Sequence, residues 1–286
     1  MKKFLCLLVY LALTTIILSS CSGESLENYI EAPEGFVFIQ GGTFVNSTSN
    51  LYGTPLIIQD FYIGIFQVTQ REWIEVMGNN PSFFEDLDRP VERVSWYDAI
   101  LFSNARSIMD GLEPFYNIDK GTTDFNNLSE SDNLRWNVTI NEGANGFRLL
   151  TEFEWEYAAG GGQLSRSYSF SGGNNLDEVG WHFRNSGDEY LAGIWHWPTL
   201  EANNGRSHPV GQKQPNELGL FDMSGNVREW VWCWFGEQVN PSSGWSRSVR
   251  GGGWVGGEDA CRTYFRDGLC PYTIWEDLGF RLARSR

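Results

Sequence analysis

The sequence predicts a loop-rich, aromatic-cored domain that works outside the cytoplasm. Three observations carry this. The chain of 286 residues holds 13 tryptophans and 32 glycines, and aromatic rings bury large areas while glycines permit tight loops. Its first residues have the pattern of an export signal. Short strand-like and helix-like segments are separated by long stretches with neither period.

The export pattern comes first. Met1-Lys2-Lys3 is a basic start, and Phe4 to Leu18 is apolar apart from Thr14 and Thr15. That run is too short to span a bilayer as a helix. Leu18-Ser19-Ser20-Cys21 closes it and resembles the bacterial lipobox, in which cleavage occurs before a lipid-bearing cysteine. The expected organisation is a lipoprotein signal over residues 1–20, a tether over 21–33 beginning at lipidated Cys21, and one domain over 34–286. Each buried methylene of an acyl chain contributes about 0.8 kcal/mol, so a multiply acylated Cys21 anchors the chain to a membrane.

Charge narrows the partners. Removing Lys2 and Lys3 from the 21 basic side chains leaves 19 against 36 acidic ones, a net charge of about −17. Such a surface repels nucleic acid, and no nucleic-acid partner is expected. Cys6 leaves with the signal, so Cys233, Cys261 and Cys270 remain beyond Cys21. An exported site permits disulfides, and three cysteines leave one unpaired.

The elements follow in order. Phe36 to Phe44 alternates and turns like a first strand and hairpin, and Ile57 to Val68 reads as further strand. Three helix starts share one design: Thr69 with Glu72, Ser95 with Asp98, and Thr151 with Glu154. Each places a hydroxyl at the N-cap and a carboxylate three residues on, the spacing of a capping box. Asp98, with the shorter side chain, is the weakest of the three. Gly78, Gly111 and Gly160 are the expected helix stops. Residues 112–146 are polar and asparagine-rich and read as an irregular insertion, and residues 161–219 give little regular structure. Asn46, Asn127 and Asn137 lie in glycosylation-type triplets that a bacterial lipoprotein leaves unused. His182 and His196 are expected on an aromatic surface stretch, and His208 at a turn before Pro209.

Several phrases together carry a family. They are Gly146-Phe147-Arg148-Leu149-Leu150-Thr151-Glu152-Phe153-Glu154-Trp155-Glu156-Tyr157-Ala158-Ala159, His208-Pro209-Val210-Gly211, the run from Asn216 to Trp230, Arg250-Gly251-Gly252-Gly253-Trp254, and Leu278-Gly279-Phe280-Arg281-Leu282-Ala283. The chain resembles the formylglycine-generating-enzyme, or sulfatase-modifying-factor, family from about residue 34 to its end. The resemblance implies an α+β domain with a C-type-lectin-like fold and little regular secondary structure.

The resemblance also bears on catalysis. The family's oxidase binds copper through two cysteines after a Gly-Gly-Ser-aromatic motif, and soft thiolates suit copper(I). Laid on Gly251-Gly252-Gly253-Trp254, the motif puts the first cysteine at Gly256 and the second at Cys261, with Gly253 in place of serine. One thiolate cannot supply a two-sulfur site, so no catalytic residue and no required cofactor is expected. Asp222, Gly225, Val227 and Glu229 match positions where family members bind calcium through two carboxylates and two carbonyls, which implies a structural calcium. The other reading has Asp222 capping the turn and Glu229 pairing with an arginine.

The C-terminal segment, about 250–286, looks like a frame with unrelated inserts. The frame is Arg250 to Trp254, Cys261-Arg262, Arg266, Pro271 and Leu278 to Ala283. The inserts are Val255, Gly256, Gly257, then Tyr264, Phe265, then Asp267, Gly268, Leu269, Cys270, and then Tyr272, Thr273, Ile274, Trp275, Glu276, Asp277. Their large side chains are too many for a plain surface loop. The pattern resembles the variable proteins of diversity-generating retroelements, whose inserts are rewritten at asparagine-type codons. Most residue types here are reachable from an asparagine codon, and Trp275 and Glu276 are not. On this reading Cys233 and Cys261, at frame positions, form a disulfide and Cys270 is a product of randomisation. The pair Cys261–Cys270 is the competing arrangement. The resulting expectation is a monomeric, lipid-anchored protein of the bacterial outer-membrane surface. It binds a ligand, a protein or another surface group, through the inserts.

Overall fold

The computed structural model describes residues 32–45, 55–237 and 241–286. Cys21, the export signal, the tether up to Glu31 and Asn46 lie outside the described residues. Ala32–Arg286 forms one unit. Among the described residues no helix is long and apolar enough to cross a membrane.

Twelve strands and five helices occur among the described residues. The N-terminal part carries β1 (Phe36–Ile39), β2 (Gly42–Phe44), β3 (Leu56–Ile58), β4 (Phe61–Gly64), α1 (Gln70–Met77) and α2 (Trp96–Met109). The middle carries β5 (Tyr116–Thr123), β6 (Trp136–Ile140), β7 (Phe147–Leu149), α3 (Glu152–Ala159), α4 (Leu176–Val179) and α5 (Trp197–Ala202). The last part holds β8 (Arg228–Trp234), β9 (Arg247–Arg250), β10 (Asp267–Leu269), β11 (Leu278–Phe280) and β12 (Leu282–Ser285). One four-stranded sheet runs β1-β4-β12-β7 and a second runs β10-β9-β8-β11. The first is antiparallel, whereas β11 lies parallel to β8 in the second. This is a mixed fold with little regular structure, as expected.

The three capping boxes form as the spacing predicts. In each, the hydroxyl accepts from the backbone N–H three residues on, and the carboxylate of that residue accepts from the cap's own N–H. The shorter Asp98 closes its box as well as the glutamates do, with Ser95 N donating to Asp98 Oδ2 at 2.9 Å. Gly78 and Gly111 end their helices with left-handed φ, whereas Gly160 does not, and Gly161 makes that turn instead.

Other expectations need correction. Phe36 to Phe44 is not a hairpin: β1 pairs with β4, and β2 pairs with β3. The asparagine-rich stretch is partly regular, since β5 and β6 form an antiparallel ribbon. Buried Tyr116 and Val138, with partly buried Ile118 and Trp136, hold that ribbon to the main core, so a few apolar anchors outweigh its polar composition. Cys233 and Cys261 do not pair. The Cys233 sulfur accepts from Glu152 N at 3.4 Å, while Cys261 lies in a separate cluster with Phe170, Leu176 and Val179. Cys270 is also free, with its sulfur 3.7 Å from Ser129 Oγ.

The main core is aromatic. Trp73 stacks on Phe102 at 5.3 Å, and Phe280 meets both edge to face. Within α2, buried Ser103 and Ser107 donate to the carbonyls four residues back, which satisfies their hydroxyls inside the core.

Buried ion pairs tie the two sheets together. Arg281 is the single residue between β11 and β12, where the chain leaves one sheet for the other. Its guanidinium bonds both oxygens of Glu229 at 2.8 Å. It also donates to the carbonyls of Gly64, Ile65 and Phe221. Both side chains of this pair are fully buried. The glutamates of α3 act in the same way. Glu156 takes Arg250 at 2.6 Å, Glu152 takes Arg266 at 2.7 Å, and Glu154 takes Arg148 bidentately at 2.8 Å. Removing one partner of a buried pair strands the other charge, at a cost of roughly 3–5 kcal/mol. Arg281→Met should therefore lose about that much in urea unfolding, whereas a loss below about 1 kcal/mol would remove the pair from its structural role.

Candidate ligand-binding site

The C-terminal segment begins with three glycines in a left-handed conformation, at φ 91°, 83° and 63° for Gly251, Gly252 and Gly253. Only glycine adopts such a run without strain. A Cβ on Gly252 would also meet the Ala260 carbonyl oxygen at 2.5 Å. The chain thereby doubles back, and Val255, Gly256 and Gly257 form a rim. The Gly256 carbonyl accepts from Phe183 N at 3.0 Å, and the Val255 carbonyl accepts from Trp195 Nε1 at 2.9 Å.

Beneath the rim lies a cleft of about 280 Å³. Val255, Gly256, Gly257, Phe265, Asp267 and Asp277 from the inserts line it, beside Trp195 and Arg228. Arg228 is its charged floor. It bonds Asp277 at 2.9 and 2.7 Å, approaches Asp267 at 3.6 Å, and lies 4.8 Å from the Trp275 ring centroid. The lining carries no histidine and no cysteine.

The remaining inserts divide by exposure. Tyr272, Ile274 and Trp275 are 40%, 47% and 45% exposed, which sets these large side chains outside the core. The edge they form is fixed by its backbone. Trp96 N donates to the Pro271 carbonyl, and Arg93 N to the Trp275 carbonyl. Thr273 N closes a turn onto Cys270 O. Tyr264 is drawn elsewhere, to a separate cleft with Phe44 and Tyr168. Glu276 lines a third cleft.

Four of the expected variable positions serve the frame instead. A Cβ at Gly256 would lie 2.1 Å from the Gly252 carbonyl oxygen, so a side chain there requires the backbone to move. At Gly268 it would strike the Phe235 ring at 2.4 Å. Leu269 packs against the main core. Asp277 is buried and committed to Arg228. Sequence reasoning missed Trp195 and Arg228. Arg228 sat within the run from Asn216 to Trp230, but nothing local marks its aspartate partners.

Burial pushes the Cys261 thiol up to about 12. His182 is buried, contrary to the expected surface position, and its Nε2 lies 2.8 Å from Asp177 Oδ1. Burial lowers its pKa. His196 is exposed, as expected. His208 stacks on Trp181 at 3.8 Å, and burial pushes its pKa down to about 4.

Two of the four expected calcium ligands, the Val227 carbonyl and the Glu229 carboxylate, are otherwise engaged. Gln67 Nε2 donates to Asp222 O at 3.1 Å, Val227 O at 2.8 Å and Glu229 Oε1 at 3.0 Å. Glu229 Oε2 takes Trp155 Nε1 at 2.7 Å as well as Arg281. Gly225 serves the turn, donating its N–H to Gly251 O at 2.7 Å. Asp222 Oδ2 accepts from Gly211 N, and Oδ1 is buried without a hydrogen-bond partner. Arg281 and the Gln67 amide nitrogen occupy Glu229 and the Val227 carbonyl, while Asp222 Oδ1 and Gln67 Oε1 are buried without a partner, so as placed the set presents fewer open oxygens than calcium takes.

Known proteins share this architecture. The model of the sulfatase-modifying factor enzyme 1-like domain matches residues 23–286. Chaperone protein LppX of Paenibacillus barcinonensis is 46% identical over 286 residues, covering all of both chains. The formylglycine-generating enzyme of Streptomyces coelicolor is 33% identical over 158 residues, 49% of this chain and 47% of that enzyme. The solved structure of Treponema denticola variable protein 1 superposes with a TM-score of 0.72 at 33% identity, covering 88% of this chain and 95% of that one.

The engagement of Glu229 makes a metal prediction. Millimolar calcium or a chelator should leave the melting temperature unchanged within about 1 °C, since a ligand that binds only the folded state shifts it by mass action. A calcium-dependent rise of several degrees would show that Gln67 yields its place.

Proposed function

The chain belongs to the sulfatase-modifying factor enzyme 1-like domain family, and we propose that within it this protein is a binder without catalytic turnover. The ligand, a protein or another surface group, docks on the edge Tyr272, Ile274 and Trp275 and on the cleft over Arg228. The observation that carries this is three large side chains held in solvent by a fixed backbone edge. Tyrosine and tryptophan give rigid, amphipathic contact area at low entropic cost. The 33% identity and shared architecture with a variable protein support retroelement diversification of these positions. Cys21 carries a lipid that holds the monomeric domain at the cell envelope, on the outer-membrane surface. Neither copper nor calcium is required.

An oxidase of the formylglycine-generating type or a metal-dependent relative is the alternative from another class, and a structural envelope protein is a third. Against the oxidase, Gly256 stands at the position that the resemblance gives the first cysteine and admits no side chain without backbone movement. A second reading rests on the 46% identical relative named as a chaperone. The same exposed aromatic edge would then hold apolar segments of unfolded exported proteins. Suppression of aggregation for several unrelated unfolded proteins at equimolar ratio supports that reading, and selectivity for one partner supports the variable binder.

Two checks bear on the main proposal. The DNA downstream should hold an adenine-rich near-copy of the 3′ end beside a reverse-transcriptase gene, and its absence removes diversification. The pair Tyr272→Ala and Trp275→Ala should change stability by no more than about 1 kcal/mol in urea, whereas losses of the size seen for buried aromatics, about 3–5 kcal/mol, would place both rings in the core.

A further inference from the structure

A cleft of about 580 Å³ opens on another side of Trp254. Glu276 faces it while its neighbour Asp277 faces the smaller cleft, so the two sites are separate. Its walls are Phe83, Phe84, Trp197 and Trp254, joined by Glu201 and Glu276.

The walls are rigidly placed. Trp254 is only 3% exposed and forms the floor, its Nε1 donating to the Glu276 carbonyl at 3.0 Å. Phe84 meets it edge to face at 5.5 Å. The Phe83 and Phe84 amides both donate to Glu92 Oε1, at 2.6 and 2.8 Å, which fixes that wall. Trp197 opens α5 at 6.3 Å from Trp254, and buried Leu200 anchors the helix to the same cluster. Trp197 and Phe83 keep open faces, at 41% and 61% exposure.

The charges point one way. Arg206 lines the cleft too, but it is committed to Asp188 at 3.0 Å and the Asn204 carbonyl at 2.8 Å. Glu201 and Glu276 have no side-chain hydrogen bond or ion pair among the described residues. Ring faces carry the negative end of the aromatic quadrupole, so carboxylates and rings attract the same kind of guest. A bare divalent ion needs more oxygen ligands than two carboxylates supply, and an anion is repelled.

We propose that this cleft binds an alkylammonium group, a cation with an apolar shell of methyls or methylenes. The shell lies against Trp197, Trp254 and Phe84, and the charge faces Glu201 and Glu276. Such a head comes either from a free quaternary ammonium compound or from a lysine side chain on a protein. The site stands independently of binding at Tyr272 to Trp275.

The test titrates the purified chain with choline and reads tryptophan fluorescence and heat. The neutral isostere 3,3-dimethylbutanol and a lysine-containing peptide are run in parallel. Choline or the peptide should saturate, binding about tenfold or more tighter than the neutral isostere. Trp197→Ala and Glu276→Gln should each weaken that binding about fivefold with unchanged melting temperature, and Tyr272→Ala should leave it unaltered. Tighter binding of the peptide assigns the head to a protein, and tighter binding of choline to a free compound. Equal affinity for choline and its neutral isostere would overturn the proposal. So would the absence of saturation by both cations with a folded chain.

Discussion

The pair between Arg281 and Glu229 sets what the rest of this structure can do. It sits fully buried at the point where the chain passes from β11 in one sheet to β12 in the other. Taking two such charges from water is costly, and the cost is met only when every donor and acceptor finds a partner. Arg281 meets that demand with two carboxylate oxygens and three carbonyls. Trp155 and Gln67 complete the shell around Glu229. A residue so committed fixes the start of β12, the last strand of the chain, to β8 and to the turn after β4.

The other end of the C-terminal segment is fixed in the same manner. Arg250 is pinned by Glu156, and Arg266 midway by Glu152, both from α3. Between these pins the main chain is held by hydrogen bonds, while several side chains stay partly exposed. Gly257 meets nothing where a Cβ would stand, and Tyr272, Ile274 and Trp275 face solvent. Gly256, Gly268, Leu269 and Asp277 belong to the scaffold by contrast. A rigid frame that leaves selected side chains free is what a binding surface needs, since preorganisation lowers the entropy lost on association. In the Asp222–Glu229 turn, protein donors occupy the Val227 carbonyl and the Glu229 carboxylate.

What was legible in the sequence was local. The capping boxes at Thr69, Ser95 and Thr151 depend on residues three apart, and all three form. The motifs around Glu152 and Arg250 were visible as phrases. Their meaning was not, because Arg250 and Glu156 stand 94 residues apart and Arg281 and Glu229 stand 52 apart. The ribbon of β5 and β6 is hard to read because its composition is polar and few apolar residues, Tyr116 and Val138 with partly buried Ile118 and Trp136, anchor it. His182 reads as a surface residue among aromatics, yet it is buried, with Asp177, five residues earlier, as its ring partner. The aromatic cleft was invisible, since its walls come from Phe83, Trp197 and Trp254, which no local pattern unites.

The central claim is that buried ion pairs fold the frame without help from the exposed inserts. The most direct measurement randomises Gly257, Tyr272, Ile274 and Trp275 together and scores protease resistance across the library. A matched library randomises Glu156, Glu229, Arg250 and Arg281. The account predicts that most members of the first library stay folded and nearly all members of the second do not. Widespread unfolding in the first library, or widespread survival in the second, would contradict it.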